Sequence, residues 1–442
     1  MGATTVFALA VLVLFVLIAM RVPVGFALTA AGTAGLVLLQ GVELTGNTLA
    51  TRPYSSLATF SYTLIPMFML MSMFIIQSNL VEELFTVARR ALRWLPGGLG
   101  IATIAGCAGF AAVTGSSVAT VATMGRVAID QMRDRGYSAP MAAGIVASTG
   151  TLGILIPPSI VLVLYGILAN ESIGFMLLAG VVPGVISAGI YAGIVVIWAR
   201  RGGVGEPIAQ IEQRAEERGF SWRGVLTIGQ LALLAIIIVG GIYTGVFTAT
   251  ESGAVAAFAA LVLMLLGSRS GLRGRLVQLR EALKETSSVV GMVFMLLIGG
   301  SIFSLFMVNA GIPRAFATWA AELDVAPVLI LLIILLALVP LGMFLDGLSI
   351  LLIVVPLVAP TISALGFDGI WFGILLVKMI ELGLITPPLG INVYVVAGTS
   401  QSLTVEQSFR GIWPFAIGDV ITVGLLLVFP TLVLWLPQQA AI

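Results

Sequence analysis

Two octapeptides set a double proline beside small and hydroxyl residues: Leu152 to Ser159 reads LGILIPPS, and Leu382 to Leu389 reads LGLITPPL. Proline lacks a backbone donor and clashes with the preceding turn, so Pro157-Pro158 and Pro387-Pro388 should each break a helix. The carbonyls freed there, with Thr149, Gly150 and Thr151 before the first break and Thr386 in the second, suit a small hard cation. A half-helix N-terminus points partial positive charge at an anion. Two apolar runs, 99–131 and 327–360, are too long for one span and are interrupted by Thr114-Gly115-Ser116-Ser117 and by Asp346-Gly347. Ser116 and Ser117 then form a hairpin tip, with Gly115 letting the backbone turn. An ionised carboxylate deep in a bilayer costs about 2.5–3.5 kcal/mol. Asp346 therefore needs a partner: a bound cation or, alternatively, a helix cap or an ion pair. Asn392, one turn after the second break, can coordinate or orient a ligand. Ser116, Pro157, Pro158, Pro388 and Asn392 are the candidates for holding an anion.

Each feature has a plainer reading. A double proline can be a packing kink, and a single Ser or Thr can bond back to its own helix. Recurrence at an offset of 230 positions favours sites, because the same offset sets Gly115-Ser116-Ser117 opposite Leu345-Asp346-Gly347. Lys378 and Glu381, three apart, can satisfy each other. Thr248-Ala249-Thr250-Glu251 has capping-box spacing, and Asp419 is left without an assigned role.

The elements that must position these residues are membrane helices. Of 442 residues 59% are hydrophobic and 9% charged, with a mean hydropathy of +1.15, so the chain lacks the charge to coat a soluble surface of its length. The absence of histidine removes the usual general base and commonest metal ligand. The single cysteine, Cys107, excludes an internal disulfide and lies among small residues suited to packing. A net charge of +1 points to no nucleic acid.

Spans are expected at roughly 4–20, 24–41, 61–80, 140–168, 174–198, 225–244, 251–266, 286–308, 370–397 and 411–436. The run from Thr4 to Met20 has no basic stretch before it and Arg21 after it, which suits a retained first span better than a signal peptide. With both interrupted runs as re-entrant hairpins, Arg21, Arg89, Arg90, Arg93, Arg126, Arg133, Arg135, Arg200, Arg201, Arg214, Arg218, Arg223, Arg269, Arg273, Arg275, Arg280, Lys284 and Arg410 share one side. The opposite side holds Arg52 and Arg314. Both termini are then outside the cytoplasm. The hairpins enter from opposite sides, so the halves form an inverted repeat, the plan with which secondary transporters build a midplane site. Amphipathic stretches at Val81 to Leu95 and roughly 309–324 would brace each hairpin along the membrane surface.

The combination of TGSSVATVATMG (Thr114 to Gly125), GTLGILIPPS (Gly150 to Ser159), GIYTGVFTATES (Gly241 to Ser252), FLDG (Phe344 to Gly347) and ITPPLGIN (Ile385 to Asn392) resembles the large membrane subunit of tripartite ATP-independent periplasmic (TRAP) transporters. The likeness covers essentially the whole chain, with Ala249 where the family often has proline. It implies a Na+-driven, elevator-type importer of carboxylates or sialic-acid-like substrates in the bacterial inner membrane. It also implies two partners, a small four-span membrane subunit and a periplasmic substrate-binding protein. No cofactor beyond the coupling ion is implied. Sodium is then expected at Ser116, Ser117, Gly150, Thr151, Asp346, Gly347, Thr386 and Pro387. Because the chain starts with the large subunit's first span, the small subunit is expected to be a separate polypeptide.

The expected fold is therefore an all-α polytopic membrane protein, an inverted repeat with two re-entrant hairpins and two broken helices. Residues 1–98 carry frame spans and the first arm, and 99–168 the first half of a transport domain. Residues 174–285 belong to the frame, 286–326 to a span and the second arm, 327–397 to the other half of the transport domain, and 411–442 to the frame. Three competitors remain: a standalone Na+/dicarboxylate symporter without a binding protein, a channel, and an intramembrane hydrolase. The last lacks histidine and has Asp346 with only Asp419 as a second acid.

Overall fold

A computed structural model describes residues 2–78, 80–203, 222–267, 271–400 and 403–440, and every element among them is helical. Arg214, Arg218 and Arg269 lie outside the described residues. The chain opens with α1 (Ala3–Ala19), α2 (Val24–Gln40) and α3 (Val42–Leu57), followed by α4 (Leu64–Gln77) and the amphipathic α5 (Leu80–Ala91). α6 (Gly98–Thr114) and α7 (Ser117–Asp134) meet at the first polar break. α8 (Ala139–Gly150), α9 (Leu152–Leu155) and α10 (Ile160–Ala169) carry the first double proline, and α11 (Ile173–Trp198) follows. α12 (Trp222–Ala235) runs through a π-helical turn into α13 (Gly241–Tyr243), and α14 (Ala249–Gly267) precedes the long α15 (Leu272–Asn309). The second half repeats the plan. The amphipathic α16 (Ile312–Glu322) leads to α17 (Pro327–Phe344) and α18 (Gly347–Ala364), then α19 (Gly369–Ile385) and α20 (Ile391–Ala397) around the second double proline. α21 (Val405–Val428) and α22 (Thr431–Gln439) close the chain. Among the described residues, eight helices are long and apolar enough to cross a bilayer, and a ninth if Ala139–Leu155 and Ile160–Ala169, bent by 43° at their break, count as one.

Local rules explain the breaks. The residue before a proline is pushed to extended backbone, and Ile156 and Thr386 are both extended where their helices stop. Both Pro-Pro bonds are cis. The second arm of each polar break begins at a capping side chain: Ser116 accepts from the Ala119 amide and Asp346 from the Ser349 amide. Ser138 and Asp368 cap α8 and α19 in the same way, again 230 positions apart. The Thr248 amide donates to Glu251 at 2.8 Å and the Glu251 amide to Thr248 Oγ1 at 3.3 Å, completing the expected box.

Packing divides the helices into two groups. α2 lies along α15 so closely that a Cβ at Gly299 would strike the carbonyl of Gly25, and α1, α3, α4 and α14 complete this frame. The broken helices form the other group. A Cβ at Gly144 of α8 would strike the carbonyl of Gly411 in α21, and α11 packs against α21, α22 and α19. α11 and α21, expected in the frame, sit against the broken helices. α11 is apolar nearly all round, so no polar stripe announces its neighbours.

Other boundaries also moved. The connection expected at 42–60 holds α3, whose Thr45 alone is buried. The span expected at 286–308 is the end of α15, 38 residues or about 57 Å long. The basic stretch before that expected span is helical too. The span expected at 411–436 is two helices parted at Phe429-Pro430.

Candidate functional site

Both polar breaks open onto one cavity of about 390 Å³ between the two helix groups. Gly115, Ser116 and Ser117 line it from the first break and Asp346 and Gly347 from the second. Ser72 of α4 and Val293 of α15 face them from the frame. Gly115 has a left-handed φ of 58°, and a Cβ there would fall 2.6 Å from the carbonyl oxygen of Pro158. The first tip is thus seated on the first proline break. Gly347 meets both halves: a Cβ there would contact Ile380 of α19 and Val161 of α10.

The hydroxyls near the breaks send their hydrogens to backbone carbonyls. Thr149 Oγ1 donates to Ile145 at 2.5 Å, Thr151 Oγ1 to Ser148 at 2.6 Å and Thr386 Oγ1 to Leu382 at 2.5 Å. Their oxygen lone pairs remain as acceptors. Asp346 is a helix cap, the alternative foreseen for it: Oδ1 accepts from the Ser349 amide at 3.2 Å and from the Ser349 hydroxyl, and Oδ2 lies 3.2 Å from that hydroxyl. Capping leaves acceptor capacity on both oxygens.

Not every candidate reaches this cavity. Pro157 and Pro158 line a second, apolar space of about 270 Å³ against α4 and α12. Asn392 is fully buried, with Nδ2 donating to Ser117 Oγ at 2.6 Å, and its Oδ1 has no hydrogen-bond partner. The first proline break is buried, whereas Pro388 is exposed and Thr386 and Pro387 are half-buried.

Lys378 and Glu381 do pair, at 2.9 Å. Asp419, 2.7 Å from Lys378, and Tyr191, whose hydroxyl donates to Asp419 at 2.5 Å, join them to α21 and α11. Three fully buried charges in an apolar chain are a signal, but their meeting depends on helix packing that spacing along the chain does not encode. No group of three or more His, Cys, Asp or Glu residues that could hold a metal occurs among the described residues.

Residues 11–432 match the family described as "Tripartite ATP-independent periplasmic transporter, DctM component". The chain is 33% identical over 393 residues to the C4-dicarboxylate TRAP transporter large permease protein DctM of Pseudomonas aeruginosa, covering 88% of this chain and 87% of that one. It is 30% identical to the sialic acid TRAP transporter large permease protein SiaM of Vibrio cholerae, covering 94% and 95%. The crystal structure of the Alcanivorax borkumensis YdaH transporter shares the fold, with a TM-score of 0.62 over 90% of each chain at 14% identity.

Proposed function

The chain belongs to the tripartite ATP-independent periplasmic transporter family, as a DctM component, and we propose that it is the permease subunit of a Na+-coupled, binding-protein-dependent importer of small organic anions. C4-dicarboxylates and sialic acid, the substrates named for its relatives, are the classes to try first. The observation that carries this reading is the shared cavity, which both polar tips line between the frame and the broken helices. Moving the second group past the frame carries that cavity across the bilayer, which is elevator-type alternating access. Since α11, α21 and α22 pack on the broken helices, they travel with them.

The donor set suits sodium. Ser116, Ser117, Thr149, Thr151 and Thr386 offer neutral hard oxygens, the break backbone at Gly115, Gly150, Gly347 and Pro387 offers carbonyls, and Asp346 supplies one negative charge. Hard cations prefer such oxygen ligands. The residues would hold the ion at the two tips, next to an anion that faces the helix N-termini at Ser117 and Gly347.

The partners are a small four-span membrane subunit and a periplasmic substrate-binding protein. The complex sits in the bacterial inner membrane with both termini of this chain periplasmic. Uptake of labelled succinate or N-acetylneuraminate into proteoliposomes tests this. Uptake should need an inward Na+ gradient and the binding protein together. Equal uptake without the binding protein would favour a standalone symporter, and uptake indifferent to Na+ would remove the cation sites.

A further inference from the structure

The cluster around Lys378 holds more carboxylate than ammonium. Lys378, Glu381 and Asp419 are all fully buried, and Lys378 Nζ lies 2.9 Å from Glu381 Oε2 and 2.7 Å from Asp419 Oδ1. Glu381 Oε1 and Asp419 Oδ2 have no hydrogen-bond partner. With every group ionised, the cluster would carry one uncompensated negative charge among apolar helices. A buried ion in that position sheds its charge rather than keep it.

The two carboxylates differ in what they receive. Asp419 Oδ1 accepts from both Lys378 and the Tyr191 hydroxyl, whereas Glu381 accepts from Lys378 alone. Hydrogen bonds to a carboxylate favour its charged form, and Asp419 receives two where Glu381 receives one. We propose that Glu381 is a proton-binding site, a neutral acid whose Oε1 carries a proton while Oε2 accepts from Lys378. Binding forms one O–H bond with a proton delivered by hydronium, which is left as water. The occupied cluster is neutral and joins α19, α21 and α11. Loss of the proton would put a net negative charge at that three-helix junction.

The ionisable groups facing Glu381 are Lys378 on its own helix, Asp419 on α21 and Tyr191 on α11. Tyr165 of α10 is directed elsewhere, donating to the Gly369 carbonyl at 2.6 Å. α9, α17, α18 and α22 carry no ionisable side chain, and Tyr394 of α20 is exposed.

Infrared spectroscopy of the detergent-solubilised protein tests the site without using transport, so it stands apart from the sodium reading. The wild type at neutral pH should show the C=O stretch of a buried carboxylic acid that shifts on carboxyl-13C labelling of glutamate; a shift on labelling aspartate instead would assign the proton to Asp419 and overturn the proposal. That band should vanish in Glu381→Gln with the fold intact, because glutamine matches the shape and charge of the protonated acid. It should also vanish in Asp419→Asn, where Glu381 becomes the only acid left to pair with Lys378 and ionises. Raising the pH should remove the band and lower thermal stability in the wild type, and the stability loss should be absent in Glu381→Gln. A wild type without the band, a band unchanged in Glu381→Gln, or a Glu381→Gln protein that fails to fold would each overturn the proposal.

Discussion

Asn392 Nδ2 lies 2.6 Å from Ser117 Oγ, tying the helix that follows the second proline break to the arm that follows the first polar break. The bond crosses between the two repeats, and both residues are buried. It fixes the first tip relative to the second broken helix, holding the cavity-lining Ser117 from the side of Asn392.

Asn392→Leu should therefore loosen the tip as well as the fold. Leaving the buried Ser117 hydroxyl without its donor costs about 1–3 kcal/mol. A lower melting temperature is expected, together with weaker Na+ activation of uptake. Unchanged values of both in the same preparation would show that the bond does not hold the tip.

Asp346 separates capping from cation binding. Asparagine can accept from the Ser349 amide as aspartate does, but carries no charge, whereas alanine loses both functions. Asp346→Ala should lose about 0.5–2 kcal/mol of stability with the cap, and Asp346→Asn only a few tenths. Both should raise the Na+ concentration needed for half-maximal uptake, as should Ser116→Ala. If Asp346→Asn kept wild-type Na+ dependence, the carboxylate would be a cap and nothing more.

The parts of this site that were readable in the sequence obey short-range rules. Proline stops a helix at Ile156 and Thr386, and Ser116 and Asp346 start one, because sterics and capping act within a turn. Their recurrence at one offset exposed an internal repeat. What was missed depends on which helix lies beside which. Asp419 meets Lys378 only because α21 crosses α19, and α11 is apolar on every side, so neither contact leaves a periodic trace. The basic start of α15 lies outside every expected span because hydropathy detects bilayer depth, not helix length.

Gly115 tests the seating of the first tip. Its φ of 58° costs a residue with a side chain about 1–2 kcal/mol, and the added methyl would also run into the Pro158 carbonyl. Gly311, left-handed at a φ of 71° with open space around it, provides the control. Gly115→Ala should lower the melting temperature more than Gly311→Ala, and it alone should abolish uptake. Equal effects of the two on uptake would separate tip geometry from function.

Glu171 gives a pH-dependent readout outside the spans, in the turn between α10 and α11. Burial, and secondarily the Asp368 carboxylate, raise its carboxyl above the ordinary value of 4.5. In the folded chain the charged form is the disfavoured one. Its stabilising contribution is therefore full below the ordinary value and is lost as pH rises through the raised one. Glu171→Gln carries no charge to disfavour, so it should match the wild type at about pH 4 and melt higher at about pH 7. Asp368 also caps α19 through the Trp371 amide at 2.8 Å, so the substitution belongs at Glu171, where the cap is left intact. A melting-temperature difference that stayed flat across this range would mean that neither burial nor Asp368 raises the Glu171 carboxyl in the folded protein.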